Sequence, residues 1–129
     1  MIWSGSRLVA RNISFSLTTP QFIDESKDVT RRIGWTFLKS DDILCAVEKG
    51  QGLKRGEKIK RLGMIRVVDA RREPLDSIAD PMLYGADELR REGFPNMTAH
   101  EFVAFFCKGH NGCFHYTVIT RIEFKRIAS

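Results

Sequence analysis

The sequence contains no long apolar run, few prolines and few cysteines, and each shortage narrows the class of protein. None of its apolar stretches approaches the roughly 20 residues that a membrane helix requires, so we expect no membrane partner. The N-terminal residues lack the continuous apolar segment of a secretory signal, which favours a cytoplasmic location. Three cysteines are consistent with such a reducing compartment. Four prolines and 43% apolar residues are typical of a folded globule.

The length of 129 residues predicts one domain, since a chain of this size can bury a single core without disulfide bonds or metal ions. We expect this domain to occupy residues 1–129, with residues 1–11 as an N-terminal extension. No internal repeat or low-complexity segment divides it.

Basic residues outnumber acidic ones, with 21 Lys and Arg against 16 Asp and Glu, and this favours polyanionic partners such as nucleic acid. The excess is concentrated in residues 49–61, where Glu57 is the sole acid. The glycines of this segment are spaced G-x-G-x-x-x-G and precede a strand-like stretch, so we reject a Rossmann nucleotide site. The segment is predicted to be a flexible hairpin tip, with Lys54, Arg55 and Lys58 as ligand-binding residues.

Apolar periodicity predicts four strands. Alternation over residues 13–17 indicates a half-buried first strand, and residues 43–47 and 59–71 supply two more. The last strand, over residues 116–126, alternates along its whole length and is expected to close a barrel beside the first strand.

Three helices are predicted from their end signals. Thr19 is a suitable N-cap, followed by a proline, for a short helix that ends near Ser26. A second helix over residues 86–92 stops at a glycine. Thr98 and Glu101 form a capping box that starts a third helix, and its apolar stripe is predicted to be core. The stripe residues are Phe102, Val103, Phe105 and Phe106.

The most informative segment is the basic run from Lys27 to Arg32. The pattern K-x-x-T-x-R places Lys27, Thr30 and Arg32 within six residues, and Arg31 adds a second guanidinium. Lysine supplies a point charge, arginine a bidentate donor for phosphate or carboxylate, and threonine a donor or a nucleophile. The segment is therefore suited to holding an anion, although a solvated basic turn has the same composition.

This motif and its surroundings resemble the ASCH family. In that family G-x-K-x-x-T-x-R follows the first strand and helix, and a Gly-Asp turn leads into the next strand. Lys27, Thr30 and Arg32 match the motif, whereas Glu25 and Asp41 occupy the two glycine positions. The resemblance covers about residues 13–124 and implies an α+β fold of PUA-like type, a small mixed β-barrel with two or three short helices.

The resemblance also implies a hydrolytic site. In the nucleoside amidohydrolases of the family the matching residues look catalytic, which points to Lys27, Thr30 and Glu92 and to a substrate such as N4-acetylcytidine. Thr30 would be the nucleophile, Lys27 its activating base or charge, and Glu92 a proton donor or carbonyl polariser. The chain must bend between Lys27 and Thr30, because residues three apart on a strand point to opposite faces. Glu88 is the alternative glutamate, and Glu92 fits an exposed, ion-paired helix residue equally well.

Binding without catalysis is the function that charge and fold favour most broadly. An ASCH-type module would bind RNA, a nucleotide or a nucleoside in a basic cleft, with Arg31 and Arg32 on phosphates and Trp35 stacked on a base. Trp35 is otherwise a core residue. Ribonuclease activity ranks third, because the sequence shows no histidine pair or carboxylate cluster at a spacing that demands it.

Neither function requires a cofactor, but one segment offers soft ligands for a structural zinc ion. The pattern C-x2-H-x2-C-x-H provides Cys107, His110, Cys113 and His115 within nine residues. The spacing matches no established zinc motif, and the alternative is a loop between helix and strand with Cys107 buried beside Phe106.

Overall fold

The computed structural model describes residues 7–50 and 53–127, with the backbone alone for residues 7–10. It is a small α+β structure with three α-helices, as predicted. Its sheet curls into a half-barrel and has five strands, one more than the sequence predicts. The strands are β1 (Arg7–Ser14), β2 (Val29–Arg32), β3 (Asp42–Val47), β4 (Arg61–Pro74) and β5 (Val118–Arg126). Their order across the sheet is β1-β3-β4-β5-β2. The β1–β3 pair is parallel and the other pairs are antiparallel.

The three helices begin and end where local sequence signals place them, with one exception. Helix α2 (Asp87–Glu92) ends at Gly93, which adopts a left-handed conformation with φ of 101°. Helix α3 (Ala99–Lys108) starts with the predicted capping box, in which both Thr98 and Glu101 cap backbone groups. Helix α1 (Thr19–Ile23) differs from the prediction at both ends, because Thr18 and not Thr19 is its N-cap and the helix stops before Ser26. A 3₁₀ turn covers Leu75–Ala79.

Two apolar clusters form the core. The first lies within the curl of the sheet, where the stacked rings of Phe15 and Phe22 meet Phe124 of β5. The second packs α3 and α2 against the 3₁₀ turn and β5, through residues such as Phe102 and Phe106. The stripe of α3 is buried as predicted except for Phe105, whose side chain is 39% exposed because it lies on the edge of the helix face.

Two predictions about the sheet are wrong. Strand β5 does not pair with β1 but with β4 and β2, because the short strand β2, which follows α1, occupies that position. β1 and β2 are thus the two ends of an open sheet, and the half-barrel does not close between β1 and β5. Strand β1 also begins at Arg7, so residues 7–11 belong to the sheet and not to an N-terminal extension, while residues 1–6 lie outside the described residues. Across residues 7–50 and 53–127, no helix has the length and apolar character needed to cross a bilayer.

Candidate active site

The site forms where the chain leaves α1 and the C-terminal end of α2 docks on the start of β2. The Lys27 N–H donates to the Gln21 carbonyl, which turns the chain back along α1. One residue later, the Asp28 N–H donates to the Arg91 carbonyl at 3.0 Å. The Arg91 side chain adds an ion pair to the Asp28 carboxylate at 2.8 Å. These contacts fix Glu92, the last residue of α2, beside Lys27.

A cavity of about 480 Å³ opens at this junction, and we call it the main cavity. Its polar lining includes Lys27, Thr30, Arg31, Arg32 and Glu92. The three residues predicted to be catalytic therefore border one space, and the turn before β2 supplies the bend that this requires. Glu92 is only 3% exposed, so it is not an exposed helix residue, whereas Glu88 lies behind it and does not line the main cavity.

The Lys27 ammonium is buried and fully occupied by acceptors. Its Nζ donates to the Val29 carbonyl at 2.8 Å, to the Glu92 carbonyl and to Glu92 Oε2 at 3.2 Å. Burial lowers the pKa of Lys27 to about 8; the Glu92 carboxylate opposes this shift, and Arg32 and Arg31 add to it. A neutral amine, which can accept a proton, is therefore accessible close to neutral pH.

Glu92 belongs to a buried network of charges behind Lys27. Arg31 donates from NH1 to Glu92 Oε1 at 2.9 Å and forms an ion pair with Glu88 at 2.7 Å. Arg121 of β5 completes the network with a bidentate contact to Glu88 at 2.8 and 3.1 Å. Burial lowers the pKa of Arg31, but Glu92 and Glu88 outweigh it and raise the pKa above its ordinary value. Arg31, predicted to bind ligand, is thus held by carboxylates and positions Glu92.

Arg32 differs from Arg31 because its partners are neutral oxygens. It donates from Nε to Thr30 Oγ1 at 3.0 Å and from NH2 to the Ser14 carbonyl at 2.5 Å. Within the part of the chain that the structure describes, no carboxylate lies at ion-pair distance from Arg32. Burial lowers its pKa to about 10, with Glu92 opposing. The guanidinium therefore keeps positive charge available beside the Thr30 hydroxyl.

Aromatic rings form the apolar wall of the main cavity. They come from Phe15, from Phe94 in the connection between α2 and α3, and from three residues of α3, namely Phe102, Phe105 and Phe106. The Phe15 ring lies 5.7 Å from Lys27 Nζ and 5.3 Å from the Arg32 guanidinium, so both cations face its π surface. Flat apolar walls with a few convergent polar groups are typical of sites for planar organic ligands.

A second cavity of about 560 Å³ adjoins the first and shares Ser14, Ser16 and Arg32 with it. Arg11, Lys49 and Trp35 also line it, and none of its described lining residues is acidic. Trp35 is a half-buried residue that packs on the first core cluster, and the Arg11 guanidinium lies 5.1 Å above its ring. The position of the Trp35 ring suits stacking on a ligand at the cavity wall as well as packing on the core.

The basic segment around residues 49–61 lies apart from the main cavity. Lys54, Arg55 and Lys58 are exposed and do not line either of the two cavities described above. Two weak ion pairs accompany the segment, between Lys49 and Glu57 at 3.9 Å and between Lys60 and Glu48 at 3.3 Å. The described part of this loop presents its charge to solvent.

The four predicted zinc ligands do not converge. Cys107 and Cys113 meet at a sulfur–sulfur distance of 3.2 Å, but each imidazole has another partner. His110 bonds the Phe106 carbonyl at 2.8 Å, and His115 bonds the Asp76 carboxylate at 2.8 Å. Among the described residues, no three His, Cys, Asp or Glu side chains are placed to hold a metal ion. The predicted ligand set therefore does not form in this structure, because each histidine bonds a different oxygen.

Glu25 and Asp41 both adopt left-handed backbone conformations, with φ of 66° and 75°. These are the positions where the ASCH pattern has glycine, which enters that region without strain. Both residues therefore occupy a backbone region that a glycine would enter without strain.

Sequence reasoning missed Arg121 and the contribution of Phe94. Arg121 is 3% exposed and lies in a strand whose neighbours on both faces are buried. A charged residue in the middle of an apolar strand is the signal that would have indicated a buried ion pair. Phe94 follows the glycine stop of α2, where the sequence carries no periodic pattern.

No family model matches the sequence, and a comparison with curated proteins also gives no match. The fold is similar to the crystal structure of protein EF3133 from Enterococcus faecalis V583, which carries the DUF984 family model. The TM-score is 0.61 at 10% sequence identity, and the match covers 95% of this chain and 82% of that chain. At this identity the similarity shows the fold alone.

Proposed function

We propose that this chain is an ASCH-type, PUA-like domain whose main cavity binds a modified nucleoside and hydrolyses an acyl amide on its base. The observation that carries the proposal is the meeting of Lys27, Thr30 and Glu92 at one aromatic-walled cavity. The lowered pKa of Lys27 supports it, because an amine that releases its proton near pH 8 can serve as a base. The left-handed turns at Glu25 and Asp41 support the ASCH assignment. So does the DUF984 neighbour, a family related to ASCH and PUA-like domains.

In the proposed reaction, the neutral Lys27 amine accepts the proton of the Thr30 hydroxyl as Thr30 Oγ1 attacks the amide carbonyl. The Arg32 guanidinium, which donates to Thr30 Oγ1, orients the hydroxyl and supplies positive charge beside the carbonyl oxygen, where the negative charge of the tetrahedral intermediate develops. The Lys27 ammonium then returns its proton to the departing amine of the base. Water hydrolyses the threonine ester and releases the acid. Glu92, whose carboxylate contacts Lys27 and Arg31, positions and tunes the lysine.

The test is hydrolysis of N4-acetylcytidine by the purified protein, followed by chromatography. We expect Lys27→Met to lower kcat by about 10²-fold or more, the usual size of a lost general base. Lys54→Met, which removes an exposed lysine outside both cavities, is the matched control and should retain full activity. For the wild-type protein, kcat/KM should rise with pH through about 8, as the pKa of Lys27 requires. Equal turnover by Lys27→Met, or no product at high enzyme concentration, would contradict the proposal.

A second candidate function, binding of a nucleotide or RNA, is favoured by the second cavity. Arg11, Arg32 and Lys49 line this cavity with Trp35, a combination typical of single-strand binders. Affinity for a single-stranded oligonucleotide should fall with salt, and Arg11→Ala or Lys49→Ala should each reduce the salt slope by about one. Binding that ignores salt and both substitutions would exclude this surface.

A further inference from the structure

Cys107 and Cys113 form a close thiol pair beside the main cavity. Cys107 lies in the last turn of α3 and Cys113 in the loop that follows. Two successive turns reverse the chain between them: the His110 N–H donates to the Cys107 carbonyl, and the Cys113 N–H donates to the His110 carbonyl. The two Sγ atoms come to 3.2 Å without a bond between them, and both thiols are half-buried.

The pair is distinct from the remaining cysteine and from the flanking histidines. Cys45 lies in β3, where its thiol contacts a backbone carbonyl of the same strand. His110 and His115 are bonded to the Phe106 carbonyl and the Asp76 carboxylate, so they do not complete a ligand set around the two sulfurs. Two thiols in contact, without further ligands, are arranged for oxidation to a disulfide, which requires a sulfur–sulfur distance of about 2 Å.

We propose that Cys107 and Cys113 form a reversible disulfide that fixes the wall of the main cavity made by the loop between them. A hydroperoxide is the oxidant. One thiol attacks it and becomes a sulfenic acid, with release of water when the oxidant is hydrogen peroxide; the second thiol then attacks that sulfur, forms the S–S bond and releases another water. Two thiols and one peroxide thus give one disulfide and two waters. A small dithiol reverses the reaction by exchange.

The consequence for the cavity follows from chain connectivity. Lys108, Gly109 and His110 lie between the two cysteines and also line the main cavity. His110 stacks on Phe106, a further wall residue, with ring centroids 4.3 Å apart. A covalent bond between the ends of this short loop removes most of its conformational freedom. Oxidation therefore changes how readily this side of the cavity can open, whatever ligand the cavity holds.

The test uses hydrogen peroxide on the purified full chain and does not depend on any substrate. Titration of thiols under denaturing conditions should fall from three to one per chain in the wild-type protein. Mass mapping should place the bond between Cys107 and Cys113 and leave Cys45 free to alkylate. The Cys45→Ser variant should still lose its two remaining thiols on oxidation. The Cys113→Ser variant should keep its two remaining thiols at the same peroxide concentration. Amide hydrogen exchange of residues 108–112 should slow on oxidation and recover with dithiothreitol, except in Cys113→Ser.

Four results would overturn the inference. Oxidation of Cys45 before the pair would show that the pair has no special reactivity. Single sulfinic acids without a cross-link would show that the two sulfurs do not meet in solution. A disulfide that leaves hydrogen exchange of residues 108–112 unchanged would refute its effect on the cavity wall. Stoichiometric zinc on the purified protein, lost with Cys113→Ser, would likewise reassign the pair to metal binding.

Discussion

Replacing Glu92 by glutamine tests whether one carboxylate holds the buried charges of the site together. Glu92 Oε1 accepts from Arg31 NH1 at 2.9 Å, and Oε2 accepts from both Lys27 Nζ and the Arg31 backbone N–H at 3.2 Å. All three residues are at most 4% exposed. Glu92→Gln keeps the shape of the side chain but removes its negative charge, so two buried cations lose a shared partner.

The expected loss can be assembled from the two cations. Burial lowers the pKa of Lys27 from 10.5 to about 8, which means that its ammonium already costs about 3 kcal/mol in the folded state at pH 7. Loss of Glu92 lowers this pKa further, but Lys27 can then release its proton, which limits the additional cost to about 1–2 kcal/mol. Arg31 cannot deprotonate and loses one charged hydrogen bond, worth about 1–3 kcal/mol, while it keeps Glu88. The sum is about 2–5 kcal/mol.

The loss should depend on pH in a defined direction. The folded-state pKa of Lys27 lies below its unfolded value, so the unfolded chain binds more protons between about pH 8 and 10.5, and wild-type stability rises over this interval. In Glu92→Gln the corresponding rise occurs at lower pH. The contribution of Lys27 to the difference between the two proteins therefore shrinks from pH 7 toward pH 10, where Lys27 is neutral in both.

Urea denaturation at pH 7 and pH 10 measures these differences directly. Glu57→Gln is the matched control, because it removes a carboxylate from an ion pair with Lys49 in which both side chains are more than 40% exposed. The control should change stability by less than about 0.5 kcal/mol. A loss below about 1 kcal/mol in Glu92→Gln at pH 7, or a difference that does not shrink at pH 10, would refute this account of the network.

Two pairs of substitutions that remove or introduce a glycine give further predictions, each checked by urea denaturation. Gly93→Ala should lose about 2–4 kcal/mol, because its φ is 101° and a Cβ would lie 2.8 Å from Thr18 Cγ2. Gly56 has a φ of 83°, and a Cβ there would have no atom within 4 Å, so Gly56→Ala should lose only about 1 kcal/mol. Equal losses of stability in the two variants would disprove the clash with Thr18. Glu25→Gly should gain about 0.5–1 kcal/mol, since its φ of 66° strains a side chain. The control is Glu48→Gly, which should lose stability because Glu48 does not have a positive φ. A loss of stability in both Glu25→Gly and Glu48→Gly would contradict backbone strain at Glu25.

The local elements of this fold were predictable from short stretches of sequence. The capping box at Thr98, the glycine stop of α2 and the apolar strand β3 each depend on residues within a few positions of one another. Their signals therefore survive without knowledge of the rest of the chain. The K-x-x-T-x-R motif likewise identified the residues that border the main cavity, although sequence alone left their geometry open.

What the sequence did not predict depends on contacts between distant segments. Lys27 and Glu92 are 65 residues apart, and they meet because α2 docks on the start of β2 through Asp28 and Arg91. Strand β5 pairs with β2 and not with β1, and the half-barrel therefore stays open between its two end strands, β1 and β2.

The Cys/His segment shows the same division within nine residues. Its composition offered four ligands, but the turns after α3 bring the two sulfurs together and give each histidine a different partner. The sequence by itself determined which residue types stand near each other along the chain, because caps and periodicity are local. Only the tertiary structure decided which of them share a space and a charge environment, because burial and ion pairing depend on how the whole chain packs.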